Sequence, residues 1–190
     1  MVFTGIDSGR LRVCRNNLGG VSKLWLFPFV KYNRSQIIIN NNVLVTFPNT
    51  DIYRFEFNGN PAPAENQSEN EGGKFYDLSI SFDLLYSSDA TNIEKLLKKD
   101  YRLIFQDRNG LYRIFGLYTG LVCDSLTFNS GGGKSDLNGF TLSFTGQEEK
   151  GSFFIDNLED AGFFDAGEDY RITELGEFRI TENDNFRIIN

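Results

Sequence analysis

The chain has 190 residues, room for one domain with a core of its own. Aromatic residues make up 15% of it and include 19 Phe, which favours β-structure over a helical bundle, and no apolar run approaches the roughly 20 residues of a membrane span. His is absent, which removes the commonest general base and metal ligand, and the net charge of −7 opposes tight nucleic-acid binding.

That charge is unevenly spread. Residues 1–57 carry +4 and residues 58–190 carry −11. Such asymmetry suits head-to-tail contacts between copies, and equally a chance segregation onto solvated faces. Cys14 and Cys123 are isolated, so buried free thiols are expected rather than a disulfide. The first residues lack a basic segment followed by an apolar one, so no secretory signal is expected.

In chain order, residues 5–20 hold Arg10, Arg12 and Arg15 and end in Gly19-Gly20, a hinge before the first strong strand. That strand, Lys23 to Val30, is strongly apolar but contains Pro28, which cannot donate to a ladder; an edge strand or a bulge is expected. Ile37 to Ile39 and Val43 to Phe47 are short strands around Asn40-Asn41-Asn42, a tight turn because Asn tolerates the left-handed region. Asp51 to Phe57 alternates, with Tyr53, Phe55 and Phe57 opposite Ile52, Arg54 and Glu56.

Residues 58–74 contain no large apolar side chain before Lys74, so they read as a long loop, functional or disordered. Phe75 to Tyr86 is the clearest strand. Tyr76, Leu78, Ile80, Phe82, Leu84 and Tyr86 form a dry stripe, and Asp77, Ser79, Ser81 and Asp83 lie on a wet face. Thr91 to Glu94 fits a capping box opening a short helix, with Ile93, Leu96 and Leu97 as its apolar stripe and Lys98 and Lys99 in its last turn.

Tyr101 to Tyr118 reads as a hairpin around Asn109-Gly110, a type I′ turn with both residues at positive φ. That turn sets Phe105 opposite Ile114, Leu103 opposite Gly116 and Tyr101 opposite Tyr118. The core face is then Tyr101, Leu103, Phe105, Tyr112, Ile114 and Tyr118, and the other face carries Arg102, Gln106, Arg108 and Arg113. Leu121 to Phe128 and Gly139 to Gln147 are two further strands.

From Glu168 an eight-residue unit recurs, with Tyr170, Phe178 and Phe186 at one parity and Arg171, Arg179 and Arg187 at the other. These units read as a surface appendage after a Gly- and acid-rich linker. The expected organisation is therefore a β domain over residues 1–158 and a linker with repeats over 159–190.

Chemistry is hard to place on this chain. Gly133-Lys134-Ser135 suggests a phosphate-binding loop, but Phe128 stands where the first Gly is required, and a turn into a strand follows rather than a helix. Carboxylate pairs such as Glu148-Glu149 and Glu159-Asp160 are adjacent and read as solvated. Metal-ligand spacing is absent. No catalytic, cofactor-binding or metal residue is assigned, and the chain is read as a non-enzyme.

Three stretches carry a resemblance: Cys14 to Gly20, Gln106 to Leu111, and Asp136 to Glu148. Together with the order of elements, they resemble the tail tube proteins of tailed bacteriophages, over about residues 10–155. The Arg-Ile-Thr-Glu repeats are similar to tails appended to phage structural proteins. The resemblance implies a mainly β fold, an antiparallel sandwich or barrel with one short flanking helix, and a hexameric ring stacking into a tube through which DNA passes. It also implies that the chain has no active site and no cofactor. Its partners would be copies of itself and other tail proteins, with DNA as passing cargo and no membrane. Assembly would take place in the bacterial host cytoplasm and the mature location would be the virion tail.

On that reading, Asp77, Ser79, Ser81 and Asp83 face the lumen, where acid repels phosphate. Glu65, Glu69 and Glu71 of the 58–74 loop meet Arg10, Arg12 and Arg15 of the next ring. The rivals are another tail ring, a terminator or connector, and a carbohydrate-binding β-sandwich using aromatic platforms.

Overall fold

In the computed structural model the described residues are 18–70, 73–86, 93–133 and 136–166, with two short strands at 171–172 and 178–179. The strands in chain order are β1 (Val21–Pro28), β2 (Ile38–Asn40), β3 (Val43–Thr46), β4 (Thr50–Phe55), β5 (Ala64–Asn70), β6 (Gly73–Leu85) and β7 (Asp100–Asp107). They continue with β8 (Tyr112–Phe115), β9 (Leu121–Asn129), β10 (Gly139–Glu148), β11 (Phe153–Ile155), β12 (Phe163–Asp165), β13 (Arg171–Ile172) and β14 (Phe178–Arg179). The fold is mainly β. Most ladders are antiparallel, but β11 runs parallel to β3 and β12 parallel to β4, so the sheet is mixed rather than purely antiparallel.

β7 organises the sheet. Along one edge it pairs with β1; along the other it pairs with β8 at Leu103 to Gln106 and with β9 at Asp100 and Tyr101. From β9 the sheet continues through β10 and β6 to β5, and from β8 through β11 and β3 to β2. Beyond β1 lies β4, and the chain leaving β4 meets the far edge of β6, where Asn58 N donates to Asp83 O at 2.7 Å. This bridge closes the curl.

Inside the curl is a first core of Leu24, Leu26, Leu78, Ile80, Phe82, Leu103, Phe105, Leu142 and Phe144, among others. A second core lies outside the β1–β7 wall and contains Trp25, Phe27, Phe47, Ile52, Ile104, Ile114, Phe153 and Phe163. Successive residues of β1 and β7 thus enter different cores, and both strands are dry on both faces.

Several expectations change. Pro28 does not mark an edge: β1 lies between β4 and β7, Pro28 closes its end beyond the β4 pairing, and the bulge is at Val21/Lys23. Residues 64–70 are not a loop. They form β5, whose backbone pairs with β6 from Ala64↔Ser79 to Asn70↔Gly73, so an edge strand forms without large apolar side chains.

The 101–118 hairpin is shifted by one residue. Phe105 pairs with Arg113 and Leu103 with Phe115, which moves Phe115 into the first core and Ile114 and Tyr112 to the second. Its loop has three residues. Gly110 sits at φ 87, while Asn109 is absent from the non-glycine positive-φ positions among the described residues. Asp107 Oδ1 accepts from Asn109 N at 2.8 Å and Leu111 N at 2.9 Å, which favours a type I turn completed by a left-handed glycine.

Residues 158–166 belong to the fold rather than to a linker. A four-residue helix, Leu158–Ala161, leads into β12, and Phe163 is fully buried against Phe27 and Phe47. Trp25 Nε1 donates to Asp165 Oδ2 at 2.9 Å. The β domain therefore extends to about residue 166 rather than 158.

Thr91 lies outside the described residues. From Ile93 the chain makes a tight turn, with Leu96 N on Ile93 O at 3.0 Å, and ends at Lys98 with φ 56. Ile93 and Leu96 of the expected stripe pack on the first core, and Leu97 is exposed. The Asn41–Asn42 turn forms as expected, with φ of 47 and 66. Two of the C-terminal repeats pair antiparallel through β13 and β14.

Candidate functional site

β5, β6, β10 and β9 present one continuous face away from the first core. The β6–β10 register places Asp77 opposite Gln147, Ser79 opposite Thr145, Ser81 opposite Ser143 and Asp83 opposite Thr141. Ser143 and Thr141 in turn face Ser125 and Thr127 of β9, and Asn66 of β5 faces Asp77. The four expected residues, Asp77, Ser79, Ser81 and Asp83, are therefore brought together.

Hydrogen bonds hold this surface in place. Thr141 Oγ1 donates to Asp83 Oδ1 at 2.7 Å, Gln147 Nε2 to Asp77 Oδ1 at 2.8 Å and Ser81 Oγ to Leu142 O at 3.0 Å. Thr145 Oγ1 donates to Asp124 Oδ2 across a bulge at Ser143/Phe144. The three aspartates keep acceptor capacity, and no Lys or Arg stands among the residues paired across this face. Asp124, Thr141, Ser143 and Thr145 were not singled out from the sequence. The signal for the three β10 residues was present in the alternation of Phe140, Leu142 and Phe144 with Thr141, Ser143 and Thr145, whereas Asp124 sits at the β9 bulge, which alternation does not mark.

Glu65 and Glu69 lie on the opposite face of β5, across from Leu78 and Lys74. Glu65 is engaged within the chain: its Oε2 accepts from Ser152 N at 3.1 Å and Ser152 Oγ at 2.6 Å. Arg10, Arg12, Arg15 and Glu71 lie outside the described residues. The β5–β6 hairpin reaches past the sheet, because β10 pairs with β6 only as far as Tyr76.

Glu148, expected in water, is buried instead, and Arg102 is buried with it. Arg102 is 1% exposed and Glu148 3% exposed, whereas Glu149 is exposed and pairs with Arg34 at 3.0 Å. Arg102 extends from the face of β7 that meets the second core, where its guanidinium lies 4.2 Å from the Phe29 ring centre. Burial lowers its pKa to about 10. Glu148 Oε1 accepts from Tyr118 N at 2.8 Å and Thr119 N at 2.9 Å, yet desolvation still holds its carboxyl above the usual range.

The glycine-rich turn is filled from within, since Asp136 Oδ2 accepts from Gly132 N at 2.9 Å and Gly133 N at 2.7 Å. Those bonds lower the Asp136 pKa and place an anion where a phosphate would sit. Trp25, 3% exposed, is no sugar platform.

No family model, no curated protein and no solved structure matches the chain.

Proposed function

We propose that this chain is a structural subunit of a phage tail, that six copies of it join into a ring, and that the rings stack into a tube for DNA. The observation that carries the reading is the broad β5–β6–β10–β9 face. Its centre is built of short side chains, Ser79, Ser81, Ser125, Thr141, Ser143 and Thr145, with Phe75 and Leu85 towards its ends, and its formal charges come from Asp77, Asp83 and Asp124. A face of this kind repels phosphate and offers little for a passing polymer to catch on. The outer edge of β5 ends the sheet path, and a ring of copies gives such an edge a partner.

Negative-stain microscopy of the purified full chain tests the reading, with rings or tubes expected. A homogeneous monomer at high concentration, with or without other tail proteins, would overturn it. In assembled particles, Asp77→Lys with Asp83→Lys should leave the rings intact and make them retard DNA in a gel. Unchanged DNA mobility would remove this face from the bore.

A further inference from the structure

A cavity of about 210 Å³ lies beside the 116–120 turn, lined by Lys31, Tyr32, Arg34, Arg102, Tyr118 and Thr119 among others. Arg102 is its least ordinary wall. Arg102 Nε donates to Leu117 O at 3.0 Å and Nη2 to Val30 O at 2.8 Å, both neutral carbonyls, while Nη1 has no hydrogen-bond partner among the described residues. The rings of Phe29, Tyr32 and Phe47 surround the guanidinium. Arg34 pairs with Glu149, and no carboxylate of the described residues lies within ion-pair distance of Arg102.

We infer that this cavity binds a small oxyanion, phosphate or carboxylate, with Arg102 as the buried cation and Lys31, unpaired among the described residues, as the free cation at the rim. A buried cation held only by carbonyls gains most from an arriving anion, and a guanidinium fork matches both oxyanions. Burial lowers the Arg102 pKa, and the nearby Glu148 carboxylate offsets that only in part. Glu148 is the acid that opposes the site. Two backbone amides bind its Oε1, while its buried Oε2 has no hydrogen-bond partner among the described residues. Its charge attracts Arg102 without an ion-pair contact, and Glu149 is taken up by Arg34. The volume is below the usual range for drug-sized ligands, which restricts the occupant to a small anion. The inference does not depend on ring assembly.

The test is ³¹P line broadening of orthophosphate by the full chain, with thermal unfolding in sodium phosphate, acetate and chloride at matched ionic strength. Phosphate, acetate or both should raise the unfolding temperature beyond chloride. Lys31→Met, at an exposed position, should weaken binding roughly tenfold. Arg102→Met should abolish binding if it folds, and if it does not, Lys31→Met decides. Equal responses to all three salts, or undiminished binding by Lys31→Met, would overturn the site.

Discussion

Phe163 gives the sharpest test of where the domain ends. Its side chain is fully buried, stacks on Phe47 with centroids 4.9 Å apart and lies 5.6 Å from Phe27. The segment carrying it is also tied through the backbone: Phe47 N donates to Ala161 O at 2.8 Å, Thr50 N to Gly162 O at 2.9 Å and Ala166 N to Ile52 O at 2.8 Å. Phe163→Ala removes a ring from a packed aromatic cluster whose backbone supports keep it from collapsing, so the expected loss is about 3–5 kcal/mol. For a domain of this size that corresponds to a fall in Tm of about 6–20 °C. Urea and thermal unfolding followed by circular dichroism measure both. Truncation after Ala166 should keep a cooperative transition close to that of the full chain, whereas truncation after Asn157 should abolish it. A Phe163→Ala loss below about 1 kcal/mol, or cooperative unfolding after the shorter truncation, would refute the packing argument.

Three further outcomes follow from individual residues. Gly110→Val forces a β-branched residue to φ 87 and should cost about 1–2 kcal/mol in urea unfolding, while Asn109→Ala, without a positive φ, should cost less. Glu148 has a folded pKa raised chiefly by desolvation, so its protonated form favours the fold; stability should fall as pH rises from the ordinary carboxylate range through that raised value. Glu148→Gln should flatten this slope, and a wild-type profile that rises across the same window would refute the assignment. Cys123 is fully buried with its pKa pushed up to about 11, so in a Cys14→Ser background it should resist a thiol reagent at neutral pH until the protein unfolds.

Strands with one wet face were legible from alternation alone. β6 and β10 have that pattern, and the Asn-rich turn between β2 and β3 declared itself through residue type. The hairpin at β7–β8 was misplaced because two cues competed. Asn-Gly favours a two-residue turn, but the Asp107 carboxylate captures two amides of the loop and adds a third residue. Alternation could not correct the slip, since β7 is buried on both faces and either register looks apolar. β5 escaped notice for the opposite reason. Its side chains bury little, and its order comes from backbone bonds to β6.

The buried charges follow from the same two-sided wall. Arg102 has Tyr101, Leu103 and Ile104 as neighbours, and a strand dry on both faces has no solvated side on which to put a cation. Its long side chain is instead absorbed by aromatic rings and by carbonyls of Val30 and Leu117. Glu148 ends β10 as that strand passes the same turn, where the amides of Tyr118 and Thr119 need an acceptor. Adjacent Glu149 has no such amides and stays in water, so two identical residues in sequence take opposite environments. Each charge is held by the 116–120 turn from its own side, and the two attract without a direct hydrogen bond between them. That turn therefore depends on both residues, and replacing either one should loosen it before it loosens the wet face of β6 and β10.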